Sequence, residues 1–228
     1  MLPADTEKAA FVRAMFDRIA PRYDRLNRVI SFHLDQYWRR QAIAMVSLKS
    51  IDTVIDLACG TGDFCGLALD AHAQVIGVDF AMNMLTIAQR RHAAATFVQA
   101  DAEKVPLPSA WASVVLSGFA LRNFVSIPRV LAEAARLLET GGRLALLDVD
   151  TPPNWLFRFG HNLYFSRIVP FLGSLFSDAK AYAYLPRSVS YLPRASELYR
   201  MIENAEFTQI QKHSFTGGIV QLLTAVRQ

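Results

Sequence analysis

The stretch VIDLACGTGD at residues 54–63, followed by VIGVD at residues 75–79, decides the fold of this chain. A short apolar strand leads into the turn Gly60-Thr61-Gly62, a helix is predicted to follow, and a second apolar strand ends at Asp79. The glycines let the backbone approach a ligand closely, and an acid at the next strand tip can accept hydrogen bonds from both hydroxyls of a ribose. Cys65 replaces the third glycine of the strict dinucleotide-binding pattern, so that pattern fails. The stretch predicts a nucleoside site, and Asp79 favours this over an ordinary strand-to-helix turn.

The composition predicts one globular protein with a sizeable core. Of the 228 residues, 52% are hydrophobic and 19% are charged, so we expect a single domain over residues 1–228. The net charge of +4 is spread without a basic block, which argues against a nucleic-acid partner and is compatible with an anionic membrane surface. Two cysteines provide no metal spacing and fit a reducing cytosol. We therefore expect a cytoplasmic protein, with peripheral contact at the inner face of the membrane as a further hypothesis.

Short apolar runs alternate with amphipathic ones between residues 52 and 150. Strands are predicted at 52–57, 74–79, 96–99, 112–118, 143–149, 208–214 and 219–226. Helices are predicted at 7–20, ended by Pro21, and at 34–48, 63–72, 82–93 and 127–139, the last ended by Gly141-Gly142. This alternation favours an α/β fold with a mostly parallel sheet covered by helices on both faces. Residues 1–50 form a predicted helical cap.

Residues 151–193 interrupt the alternation with a segment rich in aromatic side chains. An insertion of this kind is expected to cover a large apolar substrate, and Tyr182 within it is a candidate substrate contact. The alternative is that most of these aromatic residues simply complete the core. The mixture of aromatic and basic residues over 153–176 suggests a segment that contacts a bilayer surface without crossing it.

The acid and glycines of residues 56–62 resemble motif I of the class I S-adenosylmethionine methyltransferases. The resemblance implies a Rossmann-like sheet of seven strands whose last strand is antiparallel, with S-adenosylmethionine bound at the strand tips. It places the methionine part of the cofactor at Gly60, Thr61 and Gly62, and its sulfonium near Ser117. The other implied cofactor contacts are Asp56 to the ammonium group, Asp79 to the ribose, and Asp101 with Ala102 to the adenine. Taken alone, Asp101 reads equally as a loop carboxylate or helix cap.

Four stretches resemble the ubiquinone/menaquinone C-methyltransferase family. They are FDRIAPRYDRLN at 16–27, SGFALRN at 117–123, RLLETGGRL at 136–144 and TGGIV at 216–220. The resemblance implies methylation of a ring carbon in a lipophilic hydroquinone of the demethylmenaquinol type. The chain departs from the family pattern at Asp148-Val149-Asp150, where Glu-Phe-Ser is usual, at Leu223, where His is usual, and at Arg194-Ala195, where Asp-Gln is usual.

A hydroquinone carbon becomes nucleophilic when the neighbouring phenol, whose ordinary pKa is about 10, loses its proton. The family resemblance makes Arg122 the candidate for stabilising the anion and Asn123 the candidate for orienting the ring oxygen. Arg122 reads alternatively as a surface or salt-bridging residue. Three further candidate substrate contacts, expected just past the first helix, are Tyr23, Asp24 and Asn27, and Asp24 reads equally as a helix cap.

Two other functions stay open at this stage. The first is a methyltransferase that acts on a soluble phenol or polyketide, which the changes at 148–150 and at Leu223 leave open. The other is a cofactor-binding subunit without catalysis in a quinone-biosynthesis complex, which the intact site residues disfavour. The sequence leaves the oligomeric state open, with a homodimer as one candidate.

Overall fold

The computed structural model describes residues 5–164, 167, 184 and 188–228. Its strands are β1 Thr53–Leu57, β2 Gln74–Asp79, β3 Thr96–Gln99, β4 Ala112–Gly118, β5 Leu138–Val149, β6 Phe207–Phe215 and β7 Val220–Arg227. Its helices are α1 Asp5–Ile30, α2 Leu34–Met45, α3 Asp63–Asp70, α4 Met82–Arg91, α5 Ile127–Leu137, α6 Trp155–Leu163 and α7 Ala195–Asn204. Single 3₁₀ turns lie at Leu121–Asn123, Val189–Tyr191 and Thr216–Gly218.

All seven strands belong to one sheet of order β3-β2-β1-β4-β5-β7-β6. Strands β1 to β5 are parallel, and β7 runs antiparallel between β5 and β6. The predicted class I methyltransferase fold with an antiparallel last strand is confirmed. The strand order reverses between β1 and β4, and in open α/β sheets ligands bind in the crevice at that reversal.

Apolar residues cover both faces of the sheet. Ile55 and Leu57 of β1 pack in one core cluster with α5 and α7, while Val54 packs on the other face with α2 and α3. This alternation follows from the period of two residues in a strand. A third cluster lies beneath α1 and includes residues of α4. The sheet is therefore fixed between helical layers, and its strand tips form a rigid edge.

The prediction that Pro21 ends the first helix is wrong. Helix α1 continues through Pro21 to Ile30. A proline removes one N–H and crowds the preceding turn, but the buried stripe of Met15, Ile19 and Leu26 continues past it at helical spacing. Packing against α4 and the site below thus outweighs the local cost of the proline.

The predicted end of the fifth helix at Gly141-Gly142 is also wrong. Helix α5 ends at Leu137, and β5 begins at Leu138, which pairs with Ala112 of β4. Gly141 has φ +81° and lies inside β5 at an irregularity of the ladder. The pairing with β4 therefore draws the chain into the sheet before the glycines. Within the described part of the chain, no helix is both long and apolar enough to span a bilayer.

Candidate active site

The carboxyl ends of four neighbouring strands meet at one narrow cleft. Its wall contains residues that follow β1 and β3, together with the last residues of β2 and β4; these are Gly60, Asp79, Asp101, Ala102 and Gly118. Asn123 lines the same cleft from the 3₁₀ turn after β4. The structure thus brings together five of the residues that the sequence assigned to a nucleoside cofactor or to catalysis: Gly60, Asp79, Asp101, Ala102 and Asn123.

Asp79 is the buried carboxylate of this cleft. Its Oδ2 accepts the Gly60 amide at 2.8 Å and its Oδ1 accepts the Ala81 amide at 2.8 Å. These bonds tie the tip of β2 to the glycine turn after β1. Burial raises the pKa of Asp79 to about 6, although the backbone amides oppose the shift. The remaining lone pairs of the carboxylate can accept hydrogen bonds from hydroxyl groups, such as the two that a ribose carries.

The backbone turns sharply at the strand tips on both sides of the cleft. Gly60 has φ +55°, and a side chain added there would meet no atom within 4 Å, so the turn is open to a ligand. Ala58 and Phe119 also adopt left-handed conformations, with φ +57° and +60°, and both line the cleft. Left-handed backbone is unfavourable for residues other than glycine and concentrates at functional sites. The sequence contained no signal for these two conformations.

Four predicted cofactor residues lie behind the cleft wall instead of lining it. Asp56 is buried in β1 and accepts the Cys65 thiol at 3.4 Å, and burial raises its pKa to about 7. Ser117 donates to the Leu57 carbonyl at 2.8 Å, which joins β4 to β1. Thr61 is buried, and Gly62 caps α3 with φ +85° against His92. Asp101, in contrast, lines the cleft; it is exposed and accepts the Glu103 amide at 2.9 Å.

Helix α1 covers the cleft. Ala9, Phe16 and Tyr23 of this helix line it, and the enclosed volume is about 70 Å³. Ligand pockets usually enclose roughly 300 Å³ or more, so the cleft in this structure is narrower than a bound nucleoside needs. The predicted location of Tyr23, Asp24 and Asn27 past the first helix is wrong, because α1 extends to Ile30. For the same reason Asp24 is not the cap of a helix.

An ionic network fixes the second half of α1 to the glycine turn. Asp24 accepts the Thr61 hydroxyl at 2.6 Å and pairs with Arg91 of α4 at 2.8 Å. Arg28 donates to Asp63 at the start of α3 at 2.8 Å and also to Asp35 of α2. The network positions Tyr23 and Asn27, which lie on the same half of α1, above the strand tips.

A larger cavity of about 610 Å³ adjoins the cleft. The two spaces share the side chains of Phe16, Tyr23 and Phe119, which form the boundary between them. The larger cavity is mostly apolar; Trp38 and Ile219 contribute to it, as does α6. Asn27 also lines it, while Asp24 does not. Tyr182, the predicted substrate contact, lies outside the described residues.

Arg122 and Asn123 are adjacent in the chain but face different spaces. Arg122 lines the larger cavity and Asn123 lines the cleft. The Asn123 amide accepts a hydrogen bond from the Tyr184 hydroxyl at 3.3 Å and donates to the Phe119 carbonyl at 3.4 Å. Burial raises the pKa of Tyr184 to about 12, so this hydroxyl stays protonated and remains a donor. The turn thus places a cation at the wall of one space and an oriented amide in the other.

Two contacts of this turn were missed by sequence reasoning. Asp148 pairs with Arg122, although the segment around it had drawn attention only as a departure from the family pattern. The second is Tyr184, whose hydroxyl reaches the Asn123 amide. The partner of Arg122 lies 26 residues away in the chain, and no local pattern indicates such a pair.

The chain matches the model of the ubiE/COQ5 methyltransferase family over residues 4–227. It is 41% identical to the demethylmenaquinone methyltransferase of Thermus thermophilus, covering 91% of this chain and 97% of that protein. It is 38% identical to the ubiquinone/menaquinone biosynthesis C-methyltransferase UbiE of Syntrophotalea carbinolica, covering 94% and 93%. The similarity therefore extends over nearly the whole length of the chain and of each relative.

Solved structures with the same architecture are much more distant in sequence. An S-adenosylmethionine-dependent methyltransferase from Thermotoga maritima superposes with a TM-score of 0.65 at 18% identity, covering 95% of this chain and 100% of that chain. A second one, from Aquifex aeolicus, has a TM-score of 0.64 at 13% identity and covers 90% and 98%. At this identity the likeness shows the fold alone.

Proposed function

Because the chain belongs to the ubiE/COQ5 methyltransferase family and is thus an S-adenosylmethionine-dependent methyltransferase of quinone biosynthesis, we propose that it methylates a ring carbon of a lipophilic hydroquinone of the demethylmenaquinol type. The observation that carries this proposal is the pair of adjoining spaces. A cleft at the strand tips that contains the carboxylates of Asp79 and Asp101 meets a large apolar cavity at Tyr23 and Phe119, and Arg122 lines that cavity. A hydrophobic acceptor with one ionisable hydroxyl fits that combination.

The cleft residues fit the cofactor. Asp79 provides a buried carboxylate for two hydroxyl groups, and the open left-handed turn at Gly60 lets a ligand approach the backbone. Asp101 and Ala102 lie at the third strand tip, where an adenine edge needs a carboxylate and an amide. When bound, S-adenosylmethionine supplies a methyl group already activated by its positive sulfur. The protein therefore needs no nucleophilic side chain of its own, and its work is to orient and ionise the acceptor.

Arg122 is assigned to ionisation of the acceptor. A guanidinium at the cavity wall favours the phenolate over the phenol, since an opposite charge at contact lowers a pKa by roughly one to three units. The phenolate spreads its charge onto the ring carbon beside it, which is then the nucleophile. The amide of Asn123 is held by Tyr184 and the Phe119 carbonyl. Its remaining N–H can donate to the ring oxygen of the acceptor across the boundary between the cleft and the cavity. The apolar walls exclude water and thereby strengthen both interactions.

The wall of the acceptor cavity continues into an exposed apolar surface on α6. Leu156 and Phe157 line the cavity, while Trp155 and Phe159 are exposed by 70% and 65%. Arg158 lies among them on the same exposed helix. An amphipathic surface helix with aromatic and basic residues is suited to the interface of an anionic bilayer. We assign α6 to peripheral membrane contact at the inner face, where a lipophilic acceptor would enter.

The test of the proposed activity is methyl transfer from labelled S-adenosylmethionine to an anaerobic panel of acceptors. The panel contains a reduced demethylmenaquinone analogue, a demethylated benzoquinol, soluble phenols, and the oxidised quinones as controls. Label entering the ring of the reduced lipophilic quinols alone supports the proposal. Label entering soluble phenols instead would assign the protein to secondary metabolism, and cofactor binding without any transfer would contradict a catalytic role on these acceptors.

Membrane contact is tested separately by sedimentation with vesicles that contain one-third anionic lipid. The double variant Trp155→Glu/Phe159→Glu is expected to lose binding, while Ile51→Glu, at an exposed apolar residue that lines neither the cleft nor the cavity, serves as the control. Wild-type protein that stays in the supernatant at low salt would contradict the assignment of α6 without affecting the proposed activity.

A further inference from the structure

Arg122 and Asp148 form an ion pair in the interior of the protein, beside the acceptor cavity. Arg122 Nη1 donates to Asp148 Oδ1, which also accepts the Val149 amide at 2.7 Å. The two side chains are 9% and 0% exposed. Removing the two charges from water costs free energy, and the attraction within the pair offsets roughly that cost. A pair of this kind is weak support for stability alone.

Two atoms of this pair lack partners. Among the described residues, Arg122 Nε and Asp148 Oδ2 are buried without a hydrogen bond. Buried polar atoms in native proteins are nearly always bonded. Arg122 lines the acceptor cavity and Asp148 does not, so the carboxylate holds the guanidinium from behind. The arrangement restrains Arg122 at the cavity wall instead of maximising the contacts of both ions.

We propose that Asp148 is the positioning residue for Arg122: it fixes the guanidinium at the wall of the acceptor cavity and, as its counter-ion, sets how strongly that guanidinium acidifies the acceptor's phenol. An unbalanced guanidinium would hold the phenolate tightly and withdraw charge from the ring carbon. A balanced one lowers the phenol's pKa and leaves the carbon reactive. The inference rests on the proposed function and deepens it.

Among the described residues, the ionisable groups that line the cavity with Arg122 are Tyr23, Asp35, Arg39 and Tyr164, and Asp35 is paired with Arg28 and Arg39. Helix α1 contributes Tyr23 and Lys8, and Lys8 donates to the Phe124 carbonyl at 2.6 Å. Helix α2 contributes Arg39, which lies over the Phe119 ring at 4.9 Å. Tyr184 and Tyr191 lie on the remaining side. Within the described part of the chain, Asp148 is therefore the carboxylate that pairs with Arg122.

The matched control comes from the same strand. Arg143 in the middle of β5 pairs with buried Asp52, and neither lines the cleft or the cavity. The variants are Asp148→Asn, Asp148→Glu and Asp52→Asn. Each is assayed for transfer to the reduced quinol over a range of pH, for cofactor affinity by calorimetry, and for Tm. Asparagine at 148 still accepts a hydrogen bond from Arg122, which preserves the fold while removing the charge.

We expect Asp148→Asn to move the acidic limb of the kcat profile, which reports the bound quinol, to lower pH by about one unit or more. Its plateau kcat falls about tenfold, and its cofactor affinity stays within about twofold of wild type. Asp148→Glu keeps the negative charge, so we expect its acidic limb to lie at the same pH as that of wild-type protein. Asp52→Asn lowers Tm and leaves the limb and kcat unchanged.

Two results would overturn the inference, and they are distinguishable. If wild-type protein transfers methyl groups to the quinol and the Asp148→Asn limb coincides with the wild-type limb, Asp148 has a structural role only. If wild-type protein transfers nothing to any reduced quinol, the proposed function fails, and the role of Asp148 fails with it.

Discussion

Strand β5 carries two ion pairs of the same kind in different states. At its middle, Arg143 pairs with Asp52, which also accepts the Lys49 amide and the Ser113 hydroxyl, each at 2.7 Å. Arg143 donates as well to the Ser47 carbonyl at 3.0 Å. Near its end, Asp148 pairs with Arg122, and each partner keeps a buried atom without a hydrogen bond.

The pKa values of the two carboxyl groups diverge accordingly. Burial opposes ionisation of Asp52, but the bonds from Ser113, Arg143 and the Lys49 amide outweigh it and lower its pKa. Burial dominates at Asp148 and raises its pKa against the opposing charge of Arg122. The pair of Asp52 and Arg143, whose buried polar atoms are all hydrogen-bonded, lies toward the end of the sheet that faces away from the site. The unsatisfied pair lies at the edge where the chemistry is proposed.

The same contrast extends to the whole molecule. The buried side-chain polar atoms without partners, among the described residues, belong to Arg39, Asp56, His92, Arg122 and Asp148. Each of these lies in the wall of the site or directly behind it: Arg39 and Arg122 line the acceptor cavity, and His92 packs on Gly62. The end of the sheet at Asp52 and Arg143 therefore has its buried ion pair fully hydrogen-bonded. The end at the site keeps buried polar atoms without partners, which a ligand can bind.

The largest expected effect separates the two arginines. Arg122→Lys keeps a charge but loses the planar fork that spans Asp148 and the cavity, so kcat should fall roughly 100-fold with cofactor affinity unchanged. Arg143→Lys should leave kcat within about twofold and lower Tm by ~5 °C, because it loses bonds worth roughly 1.5–3 kcal/mol. Equal losses of activity in both variants would remove the distinction between the two edges.

A smaller effect concerns cofactor affinity and pH. Burial raises the pKa of Asp79 to about 6, and hydroxyl groups bind best to its ionised form. Cofactor affinity should therefore fall as the pH drops below about 6, by up to tenfold per unit. Calorimetric titrations should show this dependence for wild-type protein and a weak, pH-independent affinity for Asp79→Asn. An affinity in wild-type protein that is flat between pH 5 and 7 would contradict the role of Asp79.

Stability should depend on pH in opposite senses at the two edges. Asp56 has a folded pKa of about 7, raised by burial above its ordinary value near 4, so its stabilising contribution is present below pH 4 and lost as the pH rises through 7. Asp52 has a lowered folded pKa, so its contribution is present above pH 4 and lost as the pH falls.

Melting curves of the ligand-free protein measure this difference. At pH 8, Asp56→Asn should raise Tm by several degrees and Asp52→Asn should lower it by a similar amount. At low pH both differences should shrink, because the wild-type carboxyl groups are then protonated. Differences that persist unchanged at low pH would show that packing, not charge, distinguishes the two sites.

The smallest expected effect tests the orientation of Asn123. Tyr184→Phe removes the hydroxyl that donates to the Asn123 amide at 3.3 Å but keeps the ring, which packs at 5.6 Å from Phe11. One lost hydrogen bond to a neutral group is worth about 1 kcal/mol, so kcat should fall roughly fivefold. Tyr191→Phe is the neighbouring control and should leave kcat unchanged. No loss in Tyr184→Phe would show that the Phe119 carbonyl alone orients the amide.

The sequence was most informative where the structure is local. Alternating apolar runs predicted every strand of the sheet, and the glycine turn followed by an acid at the next strand tip identified Gly60 and Asp79, which do meet in the cleft. It failed at Pro21 because α1 is held by distant residues of α4 and the ionic network, which no local rule contains. It failed at Leu138 for the same reason, since pairing with Ala112 starts β5 early.

Side-chain partners across the fold were beyond such reasoning. Arg122 was identified through its place in a family motif, but its partner Asp148 and its position at the cavity wall depend on how β4 and β5 align. Asp56 was expected to bind the cofactor's ammonium group directly or through water, and the structure places it behind the cleft wall, where it accepts the Cys65 thiol. Which residue of the aromatic segment reaches Asn123 depends on the path of that segment, so Tyr184 could not be distinguished from its neighbours.

The most direct test of the account is the pKa of a phenol bound beside Arg122. A lipophilic 1-naphthol, which does not undergo quinone redox chemistry, is titrated by absorbance in the presence of S-adenosylhomocysteine and excess protein, using wild-type protein and Arg122→Gln. We predict that the pKa of naphthol bound to wild-type protein is about one unit or more below its pKa in water. We expect Arg122→Gln to abolish this shift. A bound pKa equal to or above the value in water in wild-type protein would contradict the claim that Arg122 activates the acceptor.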